Sequence, residues 1–181
     1  MLGFGCGTDD GPTPDAGDPN AGVTMCGTSV CLDLAHPANQ LLLSGDHVLP
    51  RITPNIPFSA DEGADPLGDY LASLDKVGAY PAQEALPAHE YRIASLPARL
   101  AELRAHHDQR FGEVLAAIRA GVTTAWDIAE RMTWSRPWHE VEGFMKRAAL
   151  AEGFAHLRAL ERRGMVRERA GDPPAWELVA G

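Results

Sequence analysis

The sequence predicts an α/β segment followed by a helical unit that ends in a β-hairpin. In residues 28–95, short runs of β-type residues and leucines precede one helical pattern, which is an α/β ordering. In residues 96–181, apolar residues recur at helical spacing until a Gly/Pro turn near the C-terminus. The charge also divides: residues 1–97 carry 3 basic and 13 acidic side chains, whereas residues 98–181 carry 13 and 12. This asymmetry favours two units.

The composition is that of a folded chain without a membrane segment. The 181 residues are 45% hydrophobic, which suits one ordinary domain or two small ones. No run approaches the roughly 18–20 apolar residues that span a bilayer, and the start lacks the basic and apolar regions of a signal peptide. We therefore expect a cytoplasmic protein. Cys6, Cys26 and Cys31 are an odd number without a Cys-x-x-Cys pair, which disfavours both a disulfide framework and a Cys-type zinc site.

The first ordered elements are predicted after an irregular start. Residues 1–27 are rich in Gly, Pro and Asp, so we expect this segment to be disordered or irregular. A strand over residues 28–34 is predicted to turn at residues 36–39 into a second strand, Gln40 to Ser44. The resulting β-hairpin ends at Asp46.

A long loop and a helix follow. Residues 50–66 hold four prolines and predict an irregular loop, a kind of segment that is often functional. Asp65-Pro66 opens a helix, because proline favours the first helical turn. The predicted apolar face of this helix consists of Leu67, Tyr70, Leu71, Leu74, Val77 and Ala79.

From Leu96 onward the pattern predicts three helices and a hairpin. A stripe of apolar residues ends at Ala120-Gly121, and a second helix is capped near Thr123-Thr124. A third helix runs after Trp138 to about Arg163, and residues 165–168 and 175–179 form the hairpin. Three helices followed by a hairpin is the winged helix-turn-helix arrangement. We expect its core anchors to be Trp126, Trp134 and Trp138.

A winged helix raises the question of nucleic-acid binding. Such units place a helix in the major groove with the help of basic side chains, for which Lys146, Arg147 and Arg158 are the candidates, together with Arg162 and Arg163. However, the unit's net charge of +1 is small, and the same helix carries several glutamates. A protein-contact appendage, packed on the preceding domain or forming a dimer, is the favoured alternative.

Two residues are candidates for metal chemistry. Asp46 follows three leucines at a strand end, where open α/β sheets place functional groups, and His89 lies in the loop Pro87-Ala88-His89-Glu90. Taken alone, an Asp there is most simply a turn residue and a loop His a solvated side chain. An Asp and a His separated by one helix can also converge on a metal, although two ligands do not complete a site. Four further histidines receive no metal role: His106, His107, His139 and His156. Of these, His107 is expected to be semi-buried, and His106 is expected to face solvent.

The segments around these two residues resemble a known family. Residues 45–56, the Asp69-Tyr70-Leu71 helix and residues 86–90 resemble the C-terminal half of metallo-β-lactamase-fold hydrolases, most closely the glyoxalase-II-like branch with a C-terminal winged helix. The resemblance implies a partial αββα half-sandwich followed by a winged helix-turn-helix domain. It also implies two zinc ions, with Asp46 as the bridging carboxylate and His89 as the final imidazole ligand. The implied reaction is hydrolysis of an ester or thioester by metal-activated water.

The ligand set departs from the family pattern. The family's His-x-His-x-Asp-His cluster occurs nowhere in the 181 residues, residues 23–29 lack the expected His, and His36 lies in the hairpin turn. We therefore expect a truncated member that is inactive as an isolated chain and does not retain the two zinc ions. An exposed half-sandwich also predicts a homodimer or a complementing chain. The alternative function is a winged-helix nucleic-acid-binding module or a relative of RNA hydrolases.

Overall fold

The computed structural model describes the backbone of residues 35–36 and, in full, residues 41–56 and 65–179. The predicted irregular segment, the strand over residues 28–34 and all three cysteines lie outside these residues. The elements of the first part are β1 (Ala35–His36), β2 (Leu41–Gly45), α1 (Pro66–Ala79) and β3 (Glu84–Pro87). Those of the second are α2 (Leu96–Arg119), α3 (Ala125–Arg131), a 3-10 turn (Trp138–Glu140), α4 (Gly143–Arg162), β4 (Val166–Arg169) and β5 (Ala175–Leu178).

The first three strands form one mixed sheet in the order β1-β2-β3. The pairing of β1 with β2 is antiparallel, as in the predicted hairpin, but the described part of the first strand is Ala35–His36, and His36 pairs with Leu41 rather than lying in the turn. The placement of His36 in the turn was wrong, because its backbone belongs to the antiparallel ladder. The pairing of β2 with β3 is parallel, so α1 is the connection between two neighbouring strands.

Strand β3 was not predicted from sequence. Its four residues include Glu84 and Pro87, which are both uncommon in strands. Its pairing is non-local: Leu42 faces Ala85 and Leu43 faces Leu86 across about 43 positions of the chain. The strand exists because β2 offers a partner edge, and a local pattern does not reveal that.

Helix α1 begins and buries its face largely as predicted. The Asp65 carboxylate accepts a hydrogen bond from the Gly68 amide at 2.8 Å, which satisfies one of the free N–H groups of the first turn. A Cβ at residue 68 would overlap the Asp65 carboxylate, so glycine leaves room for this cap. Five of the six expected residues are buried: Leu67, Tyr70, Leu71, Leu74 and Val77. Ala79, the last helical residue, is exposed instead.

Replacement of Asp65 by alanine is expected to lower the free energy of unfolding by about 1 kcal/mol, because the Gly68 amide then loses its acceptor. Asp65→Asn, which keeps a side-chain oxygen at the same position, is expected to stay within a few tenths of a kcal/mol of the parent. Urea unfolding followed by circular dichroism measures both values. An equal loss in the two variants would contradict a capping role.

The three helices and the C-terminal hairpin are also found in the predicted order. Helix α2 ends before Gly121, whose φ of +84° is left-handed, and the Thr124 hydroxyl caps α3 by accepting from the Asp127 amide at 3.1 Å. The third helix begins later than expected, at Gly143, because residues 138–140 form a separate 3-10 turn that contains His139. Among the described helices, none combines the length and apolar character needed to cross a bilayer.

A single hydrophobic core joins the two parts of the chain. It runs from Leu42 on β2 through α1, α2 and α4 to Trp176 on β5. The described parts of the predicted segments 28–95 and 96–181 therefore share one core. Of the expected tryptophan anchors, the half-buried Trp134 packs against this core, whereas Trp126 is 47% exposed and Trp138 is half-buried. Helix α3 has only seven residues and buries Ile128 and Ala129 instead, while Trp176 is the fully buried tryptophan.

Candidate metal centre

The two candidate ligands lie side by side at the carboxyl ends of β2 and β3. Gly45 faces Pro87 across the parallel pair, and the Ala88 amide donates to the Gly45 carbonyl at 3.0 Å. Asp46, the first residue after β2, and His89, the second residue after β3, thus lie at the same edge of the sheet. His89 Nε2 lies 3.4 Å from Asp46 Oδ1, with about two-thirds of each side chain exposed. The structure brings these two residues together, and their metal role remains a prediction.

A buried turn after β2 holds Asp46 outward. The His47 amide donates to the Ser44 carbonyl at 3.0 Å, and the buried Ser44 hydroxyl donates to the Val48 carbonyl at 2.9 Å. His47 and Val48 both point into the core, so Asp46 is the exposed side chain of this turn.

His47 is held from α1. Its Nε2 lies 3.0 Å from the Ser73 hydroxyl, and its carbonyl accepts from the Tyr70 hydroxyl at 3.2 Å. Burial lowers the pKa of His47, so its ring stays neutral at physiological pH. The sequence carried no signal for these supporting roles, because Ser44, Tyr70 and Ser73 do not belong to a ligand pattern.

The loop that carries His89 is tied to the loop that follows Asp46. Arg51 Nη2 and Nε lie 3.0 and 3.3 Å from the same oxygen of Glu90. The Glu90 carboxylate raises the pKa of Arg51 through this hydrogen bond and through its charge. Residue Glu90 itself has a φ of +70°.

The donor set fits zinc in kind but is incomplete among the described residues. A carboxylate oxygen and an imidazole nitrogen are both ordinary zinc ligands, and a site needs at least three protein ligands. Within residues 41–56 and 65–179, no cluster of three or more His, Cys, Asp or Glu side chains is arranged to hold a metal ion. Asp46 and His89 can therefore hold a metal only together with ligands from elsewhere.

Two other histidines form a separate buried pair. His107 Nδ1 lies 3.2 Å from His156 Nε2, and His156 Nδ1 lies 2.8 Å from the Glu152 carbonyl. Both rings are essentially buried, so His107 is more enclosed than the expected semi-buried position. His106 also differs from its prediction: it is half-buried against the His107 ring rather than facing solvent. Burial lowers its pKa.

The candidate nucleic-acid contacts are mostly used inside the chain. Lys146 donates to the Trp138 carbonyl at 2.7 Å and lies 4.3 Å from the centre of the Trp138 ring. Arg158 forms ion pairs with Glu161 at 2.7 Å and with Glu168 at 2.8 Å. Arg147 is exposed. Two of the three cations are thus engaged in contacts within the fold.

One face of the sheet carries apolar side chains toward solvent. Leu42 and Ala85 point into the core, whereas their neighbours Leu43 and Leu86, which pair across β2 and β3, are 41% and 36% exposed. Side chains alternate between the two faces of a sheet, so these leucines lie on the face opposite the core. An apolar face of this kind is the feature that the resemblance predicted for a half-sandwich.

Comparison with solved structures supports a metallo-β-lactamase-like fold for most of the chain. No family model matches the chain, and no curated protein matches it. A metallo-beta-lactamase family protein from Thermus thermophilus is 31% identical, with a TM-score of 0.65 over 78% of this chain and 43% of that one. A beta-lactamase domain protein from Burkholderia ambifaria is 34% identical, with a TM-score of 0.70 over 78% and 42%. The chain spans less than half the length of either protein.

Proposed function

We propose that this chain is part of a metal-dependent hydrolase of the metallo-β-lactamase superfamily, with Asp46 and His89 as two of its zinc ligands. The observation that carries the proposal is the 3.4 Å approach of His89 Nε2 to Asp46 Oδ1 at the ends of two parallel strands. It is supported by the 31–34% identity to proteins described as metallo-beta-lactamase and beta-lactamase domain proteins.

The roles of the two residues follow from their chemistry. When bound, a pair of zinc ions would lower the pKa of a shared water and supply a hydroxide nucleophile for an ester or thioester. Asp46 would contribute a carboxylate oxygen and His89 an imidazole nitrogen to hold the ions. The buried turn of Ser44, His47 and Val48 fixes the direction of Asp46, while the exposure of both ligands leaves their outer side open to substrate.

The remaining ligands are proposed to come from outside the described residues, supplied by a complementing chain or a second copy. The exposed leucines Leu43 and Leu86 are the natural contact for such a layer, because their face adjoins the strand ends that carry Asp46 and His89. Burial of two half-exposed leucines contributes roughly 1–3 kcal/mol by area. This contribution would favour packing of the second layer on this face, but it is too small to hold the two layers together alone.

Helices α2, α3 and α4 and the β4-β5 hairpin are proposed to be a winged-helix appendage of the glyoxalase-II-like type. We propose that it serves protein packing, since α4 packs on α1 and α2 and the cations Lys146 and Arg158 are paired within the fold. A nucleic-acid surface would instead present several unpaired cations to phosphates.

Zinc titration of the purified full chain tests the ligand assignment. We expect weak binding at Asp46 and His89, because a set of two ligands competes poorly with water. Asp46→Asn and His89→Gln are each expected to weaken it at least about tenfold, since loss of a mere supporting residue already costs about 10–100-fold. Isothermal titration calorimetry, with imidazole NMR signals to identify His89, gives both values.

Matched controls are available elsewhere on the surface. Asp75→Asn and His139→Gln alter exposed residues away from the strand ends and should leave zinc affinity unchanged. Zinc binding that survives the Asp46→Asn/His89→Gln double change would refute the assignment. Tight binding of two zinc ions by the chain alone would refute the need for additional ligands.

A further inference from the structure

We propose that Arg51 and Glu90 are positioning residues, which clamp the loop of His89 so that its imidazole stays opposite Asp46. The inference deepens the proposed function and rests on it, because it concerns the same pair of side chains. Neither residue is a ligand in this proposal. Instead, their ion pair restrains the backbone of the loop that carries His89.

The backbone of Glu90 is held in an unfavourable conformation. Its φ of +70° is the left-handed region, which residues with a Cβ avoid and glycine adopts freely. Among the described residues, Glu90 is the one non-glycine residue with a positive φ. Such conformations persist where the surroundings over-determine them, and they cluster at functional sites. The contacts of the Glu90 side chain are therefore the first place to look for what holds this backbone.

Arg51 is the partner of that side chain. Its Nη2 and Nε both donate to Glu90 Oε1, at 3.0 and 3.3 Å, and the Glu90 side chain is only 23% exposed. Arg51 lies five residues after Asp46, and Glu90 directly follows His89. The ion pair thus links the two ligand loops to each other.

Arg51 is itself held in place by α2. Arg99 Nε donates to the Leu49 carbonyl at 2.7 Å, and its Nη2 donates to the Ile52 carbonyl at 2.9 Å. These two carbonyls lie on either side of Arg51 in the chain, and the Arg99 side chain is largely buried. The base of the clamp is therefore attached to a 24-residue helix rather than to a free loop.

His89 is fixed on both of its sides. On one side the Ala88 amide donates to the Gly45 carbonyl at 3.0 Å, and on the other Glu90 is bound by Arg51. Both neighbours of His89 are thus tied to the β2 strand end and its following loop, which keeps the backbone of His89 beside Asp46. Loss of the Arg51–Glu90 contact leaves the Ala88 hydrogen bond beside His89, while the chain beyond residue 90 stays tied to β3 by the Arg92–Glu84 ion pair and the Ala85–Ile93 bridge.

Glu90→Gly separates positioning from stability. Glycine relieves the left-handed backbone, so the thermal unfolding midpoint should be unchanged or higher, although the clamp is lost. We expect the Ala88 amide to exchange about two- to fivefold faster in this variant, the range that an exposed ion pair supports. Zinc alone, added to the full chain, should bind more weakly by a similar factor, with smaller shifts of the His89 imidazole NMR signal.

Arg51→Gln should speed exchange of the Ala88 amide by a similar factor, without a substitution at residue 90. The charge-reversed double variant Arg51→Glu/Glu90→Arg should restore slow Ala88 exchange together with the parental zinc affinity and His89 imidazole shift, whereas a merely structural ion pair would restore the exchange rate alone. Parental exchange of Ala88 in both single variants would overturn the clamp. Absence of zinc binding in the parent together with faster Ala88 exchange in the variants would overturn the metal assignment and leave the clamp supported.

Discussion

Replacement of Arg110 by alanine is expected to lower the free energy of unfolding by about 3–5 kcal/mol, the usual cost of removing one partner from a buried ion pair. Arg110 is buried on α2, where its Nη1 donates to the Thr133 carbonyl and to Glu113 at 3.2 Å. Its Nε lies 3.8 Å from Glu152, and its guanidinium lies 4.6 Å from the centre of the Trp134 ring. One side chain thus joins α2, the segment after α3, and α4.

The groups around Arg110 explain why its loss is costly. Burial raises the pKa of Glu113, but hydrogen bonds from Thr133, Gln109 and Arg110 outweigh it and lower that pKa to about 2. Burial likewise raises the pKa of Glu152, and the charge of Arg110 partly offsets this by lowering it. Without the guanidinium, two partly buried carboxylates lose their cation and the Thr133 carbonyl loses a donor.

Urea unfolding followed by tryptophan fluorescence measures the Arg110→Ala effect. Arg169→Ala is the matched control, because its pair with Glu177 lies at the surface of the β4-β5 hairpin. Exposed ion pairs contribute at most about 1 kcal/mol, so the control should lose no more than that. Equal losses of unfolding free energy in the two variants would show that the buried Arg110 network stabilises the fold no more than an exposed ion pair.

Acidification is expected to destabilise the fold by roughly 3–4 kcal/mol between pH 7 and pH 5, through the buried pair His107 and His156. Burial, followed by the charges of His156, His106 and Arg110, lowers the pKa of His107 to about 3. Burial, opposed by the hydrogen bond to the Glu152 carbonyl, lowers that of His156 to about 4. Both rings are therefore neutral in the folded chain.

The direction of the effect follows from the protons bound in each state. In the unfolded chain both histidines titrate near 6.5, so below that pH the unfolded state takes up protons that the folded state refuses. The stabilisation from the neutral pair is complete above about pH 7 and is lost as the pH falls from 6.5 toward 4.

The hydrogen-bond order of the pair explains this resistance to protonation. If His156 Nδ1 donates to the Glu152 carbonyl, its Nε2 accepts from His107 Nδ1. The remaining atom, His107 Nε2, is buried and without a hydrogen-bond partner among the described residues. A proton added there would have no acceptor, which is why the folded chain disfavours it.

Unfolding free energies measured at intervals from pH 7.5 to pH 5 test this linkage. His156→Gln should reduce the pH dependence by about half, because one of the two titrations is removed. His139→Gln, in an exposed side chain, should leave it unchanged. A parent whose stability varies by less than about 1 kcal/mol over this range would contradict the neutral buried pair.

The parts of the fold that the sequence predicted are those with local causes. Asp65-Pro66 marks a helix start because capping acts within one turn, and the apolar stripe of α2 reflects the helical period. The approach of Asp46 to His89 followed from a strand end and a family resemblance, without any knowledge of β3.

The features that escaped prediction depend on distant partners. Strand β3 needs the edge of β2. Arg110 was overlooked because charged residues are rarely buried unless paired, and its partners Thr133 and Glu152 lie 23 and 42 positions away. The assignment of Trp126 to the core was wrong for a related reason: aromatic size favours burial, but the seven-residue α3 buries Ile128 and Ala129 and leaves Trp126 half-exposed.

The core that joins the two parts of the chain limits how its C-terminal helices can be exchanged. The ring of His156 on α4 packs on His107, which packs on Tyr70 of α1, and the Tyr70 hydroxyl holds the carbonyl of the residue next to Asp46. Exchange of the C-terminal helices for another unit would therefore remove the His107 ring on which Tyr70 packs. We expect such an exchange to disturb the turn beside Asp46 unless α1 is altered with it.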